Sequence, residues 1–599
     1  MSEAQAENTA PHAPTAAELK AEGNVLFVKK EFLAASYKFT AGLEEDPSSA
    51  ILYANRAACY MGLKRCARWQ PSRVQEMLDA YRWRADTPTR SRTLQRRVCF
   101  IVCGTLHCAV LILVPIGMWQ ATELDPKYAK AWSRLAAAHD ALNAPYNSIS
   151  AWKSAIAALP ADDTKVRAQY TASLRAAEAA KRRMETKPAK VHVMPAALKQ
   201  ETPWIRAQKM KANGQLPIIS SGWVIFAAYE EFKEGVETMN QLKKIQTPQG
   251  LMLHGKPDAD TSVHPRPGSQ ALDALSNAIL RDSRIFHITQ PDFISKYNTQ
   301  AQFEAQRFDA WIHGGPETIL ENAKQRLAAK GWDAARPALA TSVRGFIMRG
   351  FLEDGLRKNH AAGVEFLGNA LTIIESGRRI WPNVPKSERG AIFEWTFWAG
   401  VKSLFLEIFQ HAYSSAPGLD SPYPLETLLE HADELIKDKG PGPTGEIDPG
   451  FLLSFTVYPR SNAFAMKGYY HNQMARRGHG GSTEAVVDHL KKAARFYLEA
   501  ANCLPVDDEN HAWFIWCALE AFWRHGAPLK ITLPLMARIR EAIPLFKLIW
   551  EHSSSAEGHK ALQTALWFEE DMLKGLNEGK FTEDNPIVPE PFSRFEKGW

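Results

Sequence analysis

Thr15-Ala-Ala-Glu-Leu19-Lys20-Ala-Glu-Gly23-Asn24-Val-Leu26 and Tyr128-Ala129-Lys130-Ala-Trp132-Ser-Arg134-Leu135-Ala136 decide the fold. Each opens a pattern that continues at the same spacing. In the first, Leu19, Gly23 and Leu26 are followed by Ala35, Phe39 and Pro47. In the second, Trp132, Ala136 and His139 are followed by Ser148, Trp152 and Pro160. Small residues fall where two helices cross closely, and aromatics fill the wedge behind them. Pro126 to Pro160 is one full period of 34 residues, the length of a helix-turn-helix repeat. Stacked units of this kind bury their faces only against neighbours, so a helical array is expected.

This spacing is that of the tetratricopeptide repeat. A middle unit starts in register with Tyr53, Ala57, Tyr60 and Leu63 and ends with Ala121-Thr-Glu-Leu-Asp-Pro126. Its centre does not fit. Pro47 to Pro126 spans 79 residues, one period plus 45, and Lys64–Gln120 supplies 57 residues where about twelve are needed. This insertion holds nine Arg and one Lys, four of the seven cysteines (Cys66, Cys99, Cys103, Cys108) and three Trp. It closes on an uncharged run, Val98–Trp119, preceded by Arg96-Arg97. Three readings compete: a membrane helix, which its length and basic flank permit; an apolar helix replacing the missing second helix; or translated intervening sequence. Foreign composition and clean resumption of register favour the last. A membrane span would also separate the flanking half-repeats.

Five polar residues sit on the first helices of the three units. Lys20 and Asn24, like Lys130 and Arg134, are four apart and share a helix face, and Asn55 lies between them in the stack. Arg offers a bidentate fork, Lys a point charge and Asn a neutral donor, a set suited to a terminal carboxylate beside an acidic side chain. The bland alternative is a solvated basic face, which five coincident offsets make less economical.

Lys20, Asn24, Asn55, Lys130 and Arg134 resemble the carboxylate clamp of tetratricopeptide co-chaperones, with Lys-x3-Asn, Asn and Lys-x3-Arg on successive first helices. The resemblance covers residues 16 to about 175. It implies capture of the C-terminal Glu-Glu-Val-Asp of the seventy- and ninety-kilodalton heat-shock chaperones by an adaptor without cofactor. It also implies tetratricopeptide helices wound into a right-handed superhelix. The interrupted middle repeat puts the placement of the third pair in question.

The expected class is all-α throughout. Residues 1–14 are polar and expected to be disordered. Residues 15–185 form the repeat domain, with repeats 16–49, 50–128 and 129–162 and a capping helix at 163–183. Residues 186–203 read as a linker, and 204–599 as a larger, irregular repeat-like α-solenoid. In it Phe346, Gly350, Ala362 and Phe366 recur at repeat offsets, as do Ala493, Tyr497, Ala500 and Pro505. Helical spacing runs from Gly222 to Ile245, and Gln246–Gly268 reads as a Pro/Gly/His loop. The aromatics Trp381, Trp395, Trp398, Trp513, Trp516 and Trp523 are expected to fill the core.

Other chemistry is sparse. Gly250-Leu-Met-Leu-His-Gly255-Lys256 has phosphate-loop spacing, but Pro257 stands where Ser or Thr is required. His254 and His264 share a segment without the companions of a zinc site. Glu230 and Glu231 read as a solvated helix face. No nucleophile with a base and an orienting partner emerges, so an enzyme is not expected. The N-terminus has no apolar signal core, and Cys59, Cys503 and Cys517 have no spacing partner, so reduced thiols in the cytoplasm are expected. A net charge of +6 over 599 residues, dispersed except at Lys181-Arg182-Arg183, does not indicate nucleic acid. Readings from other classes are a general repeat scaffold, a membrane-tethered receptor if Val98–Trp119 is inserted, and an enzyme hidden downstream. The residues after 203 imply a second, unidentified protein partner.

Overall fold

The computed structural model describes residues 14–67, 118, 121–122, 124–142, 144–185, 189–247, 250–254, 270–312, 314–440, 442, 448–478, 482–553 and 558–590. The stretch 68–117, and with it nearly all of Val98–Trp119, lies outside the described residues, as do residues 1–13 and His264. The chain forms two compact units. The first comprises residues 1–186 with 313–317, and the second 187–312 with 318–599.

The first unit is a run of antiparallel helix pairs: α1 (Ala16–Val28), α2 (Phe32–Glu45), α3 (Ala50–Ala67), α4 (Ala129–Ala141), α5 (Pro145–Ala157) and α6 (Thr164–Glu185). A capping box starts it. Thr15 N–H donates to Glu18 Oε2 at 2.8 Å while Glu18 N–H returns to Thr15 Oγ1, satisfying donors that a helix start leaves open. The α1–α2 crossing depends on Gly23, because a Cβ there would lie 2.6 Å from the Phe39 ring. Ala35 and Phe39 are fully buried in the same cluster as Leu43, Leu52 and Cys59. In the third repeat Asp140 ties the pair together, accepting from Ser148 Oγ and, at 3.1 Å, from Trp152 Nε1. Helix α6 closes this end, Tyr170 lying 5.3 Å from Trp152 and donating to Ser133 Oγ at 3.0 Å. The interrupted repeat rejoins: Ala54, Ala57 and Ala58 of α3 share one buried cluster with Met118, Ala121, Ala131 and Leu135. Both flanks of the insertion therefore reach a common core.

The second unit is also built of helices, among them α7 (Pro203–Ala212), α8 (Ser221–Gln241), α9 (Ala271–Arg281), α10 (Phe293–Arg307), α11 (Pro316–Lys330, its first two residues counted with the first unit), α12 (Trp332–Arg357), α13 (His360–Ile380), α14 (Trp395–Ser415), α15 (Leu425–Lys437), α16 (Tyr458–Arg476), α17 (Thr483–Cys503), α18 (Glu509–Arg524), α19 (Leu529–Trp550) and α20 (His559–Asn577). Phe346 and Phe366 stack at 6.2 Å across α12 and α13, and the Gly23–Phe39 device recurs where a Cβ on Gly468 would lie 2.8 Å from Tyr497.

Four expectations need correction. The helix at 222–245 stops at Gln241, and Lys243–Thr247 pairs antiparallel with Gly250–His254, so this part of the supposed loop is a β-hairpin. The hairpin also removes the loop-to-helix geometry that a phosphate site needs at Gly250; residues 255–269 lie outside the described residues. Residues 189–202 do not hang between helices: Lys190 N–H donates to Leu356 O at 2.8 Å and Met194 N–H to Ile288 O at 2.8 Å. Trp513 is 38% exposed, whereas Trp381, Trp398, Trp516 and Trp523 are buried. Finally, Glu231 is half-buried and ion-paired, not a solvated face residue. It accepts from Arg281 Nη2 at 3.0 Å, and burial pushes its carboxyl pKa up.

Candidate peptide-carboxylate site

Helices α1, α3 and α4 each begin a repeat and carry the five polar positions. Two hydrogen bonds link the three helices there. Asn55 Nδ2 on α3 donates to Asn24 Oδ1 on α1 at 3.2 Å. Arg134 Nη1 on α4 donates to the carbonyl of Ala54, the residue before Asn55, at 3.0 Å. Asn24, Asn55 and Arg134 are thus brought together despite the 80 positions that separate Ala54 from Arg134.

The remaining two residues are differently placed. Lys20 lies half-buried one turn before Asn24, and Lys130 is exposed one turn before Arg134. Neither ammonium has a hydrogen bond or ion pair among the described residues. The neighbouring acid Glu22 is engaged elsewhere, with Lys38 at 2.5 Å.

Arg134 is set deeper than a surface cation. Burial pulls its pKa down, with Tyr128, Cys59 and Tyr170 opposing that shift. One of its donors is committed to Ala54 O, and its others have no partner among the described residues. Beneath it lies Cys59, fully buried, its thiol pushed up to about 12 by that burial. Such a thiol stays protonated and unreactive, so it serves as packing. The sequence marks Cys59 only as a thiol without a spacing partner, although it lies four positions after Asn55 and so on the same helix face. His139, one turn and a half beyond Arg134 on α4, is buried, and desolvation lowers its pKa to about 4.

This arrangement can offer a chain end two free ammonium groups, one partly committed guanidinium and two amides already oriented by each other. Apart from the two amide oxygens, one of them already accepting, this is donor chemistry.

No protein-family model matches the chain. Among solved structures it is similar to the yeast Tom70 crystal structure, 12% identical over 94% of this chain and 96% of that chain, with a TM-score of 0.23. It is also similar to a structure of the UNC-45 chaperone described for binding and folding muscle myosin, 12% identical over 91% and 72% of the two chains, TM-score 0.19. A third is Naa15/Naa10 bound to HypK-THB, 12% identical over 95% and 85%, TM-score 0.14. Likeness at this level carries no argument about what the chain does, which rests on its own residues.

Proposed function

We propose that the chain is a helical-repeat adaptor whose residues 15–185 grip the C-terminal carboxylate of an acidic peptide, with the Glu-Glu-Val-Asp ends of heat-shock chaperones as its ligands. The observation that carries this reading is the junction of Asn24 with Asn55 and of Arg134 with Ala54 O, beside the unpaired ammonium groups of Lys20 and Lys130. Amides held by each other lose less freedom when a ligand arrives, and the lysines keep their charge for it. Asn55 and Arg134 sit side by side across α3 and α4, so a terminal carboxylate and a nearby aspartate side chain can be met from two helices at once.

Calorimetry of the whole chain with a Glu-Glu-Val-Asp peptide tests this. The free-acid peptide is expected to bind more tightly than its C-terminal amide by about 1.5–3 kcal/mol, the worth of a charge-assisted hydrogen bond. Equal affinity for the two peptides removes the carboxylate from the account.

A further inference from the structure

A second donor cluster lies in the other unit, at the corner where α12 turns into α13. Helix α12 is capped at its C-terminus by Lys358, a non-glycine residue in the left-handed region at φ 51°. Asn359 then fixes the reversal, its N–H donating to Glu353 O at 2.9 Å and its Nδ2 to Glu353 Oε2 at 3.0 Å. The reversal returns His360, the first residue of α13, onto Asp354 in the last turn of α12. His360 Nδ1 lies 2.6 Å from Asp354 Oδ1. From the third helix, α14, His411 brings its own Nδ1 to 3.0 Å from Asp354 Oδ2. One donor atom from each of the three residues lies within 4.8 Å of the others.

The three helices are held closely at this point. A Cβ on Gly363 would lie 2.8 Å from Ile408 Cγ2, 3.2 Å from Gly350 O and 3.3 Å from Asp354 Cβ, so α12, α13 and α14 meet with no room to spare. Asp354 is buried, while the His360 and His411 side chains are 20% and 40% exposed, which leaves an entry side. Glu407 stands one turn before His411 on α14, and its carboxylate makes no hydrogen bond among the described residues. Lys358 is a cation close enough to act on His411, a charge that a bound ion would have to tolerate.

We propose that Asp354, His360 and His411 form a binding site for a divalent transition ion of borderline softness, zinc above all. Two imidazoles and a carboxylate are the ligand set such ions take, and facing helices are a common support for it. Glu407 lies outside this group of three, so a fourth position would fall to water. The ion would tie α12, α13 and α14 at a single corner, and its binding free energy would add to the stability of that unit. The competing account is a structural hydrogen-bond network in which both imidazoles serve only the carboxylate.

The test uses the untagged full chain, stripped with chelator and titrated with zinc by calorimetry, then with cobalt for its visible spectrum. One equivalent of zinc is expected, with a higher melting temperature. Cobalt is expected to give the bands of a four- or five-coordinate nitrogen and oxygen site, without the near-ultraviolet thiolate charge transfer that a cysteine site would give. His411→Ala should weaken zinc by more than the roughly 10–100-fold lost with an outer-shell partner. His471→Ala, at the separate His471–His489 pair, should leave binding unchanged. No stoichiometric zinc, a thiolate spectrum, or binding that survives in the His360→Ala/His411→Ala double variant overturns the site. Where a variant loses its helical signal, the cobalt spectrum of the parent chain decides.

Discussion

Arg134 Nη1 donates to the carbonyl of Ala54 at 3.0 Å, so a residue of the third repeat is fastened to the backbone of the second across the interruption. The bond gives Arg134 a task in the fold, to which the proposed site would add one toward a ligand. Lys20 and Lys130, without partners among the described residues, would have only the second.

The two classes of basic residue should therefore separate on mutation. Arg134→Ala is expected to weaken the Glu-Glu-Val-Asp peptide by about 1.5–3 kcal/mol and also to lower the melting temperature of the repeat unit, since a hydrogen bond to a charged group is lost. Lys20→Ala and Lys130→Ala should weaken the peptide with melting unchanged, and their effect should shrink as salt is raised. Calorimetry at two ionic strengths, with thermal melting of each variant, checks this. Equal destabilisation by all three substitutions would contradict the division.

His139 sets an acid limit on the same unit. Its folded pKa of about 4 lies below the ordinary value of 6.5, because burial penalises the imidazolium. The stability it permits is complete above pH 6.5 and is lost as pH falls through 4, up to about 3 kcal/mol by linkage. His139→Gln should flatten the stability–pH curve between pH 6.5 and 4. Denaturant unfolding at stepped pH, followed by the fluorescence of Trp132 and Trp152, makes the measurement.

Glu304 works in the opposite sense in the second unit. Burial raises its carboxyl pKa from 4.5 to about 7, against hydrogen bonds from Gln300 and from the Leu272 N–H. The folded state thus holds a proton that the unfolded chain has released, and stability falls as pH rises from 4.5 through 7. Relative to the parent, Glu304→Gln should gain melting temperature steadily over that window. A difference that stays constant from pH 4.5 to 8 would show that the carboxyl is not protonated in the fold.

Removing 45 residues from within 64–120, so as to restore the 34-residue period, should leave a more stable repeat unit that binds the peptide at least as tightly. The reason is that α3 and the residues at 118 and 121 already share a core with α4. Melting and peptide titration of the two versions decide it. A less stable short form would make the insertion a structural part.

The repeat register was legible because it is written in volumes. Gly23 admits the Phe39 ring, and Ala35, Ala57 and Ala136 allow backbones to approach, so spacing alone placed helices and their contacting faces. The candidate clamp was legible for the same reason, since i, i+4 offsets fix which residues share a face. What the pattern could not give was commitment. Nothing in the spacing distinguishes Arg134, engaged with a carbonyl, from Lys130, which is not. The hairpin at Lys243–His254 was missed because helical periodicity in α8 runs on past Gln241, and Lys243–Thr247 has no strict alternation to mark a strand. The Asp354–His360–His411 cluster was out of reach for a different cause. His360 and His411 lie 51 positions apart, and only a left-handed Lys358 turns the first of them back.

The shared core of Ala57, Met118, Ala121 and Leu135 has a consequence for the chain as a polymer. Closing a loop costs entropy that grows only with the logarithm of its length, so lengthening a connection tenfold adds roughly 2 kcal/mol. Once both ends are pinned, the contour between them is thermodynamically cheap. The junction after α3 is therefore a natural splice point, at which a foreign module with closely spaced termini could be carried while the two halves of the repeat continue to find each other.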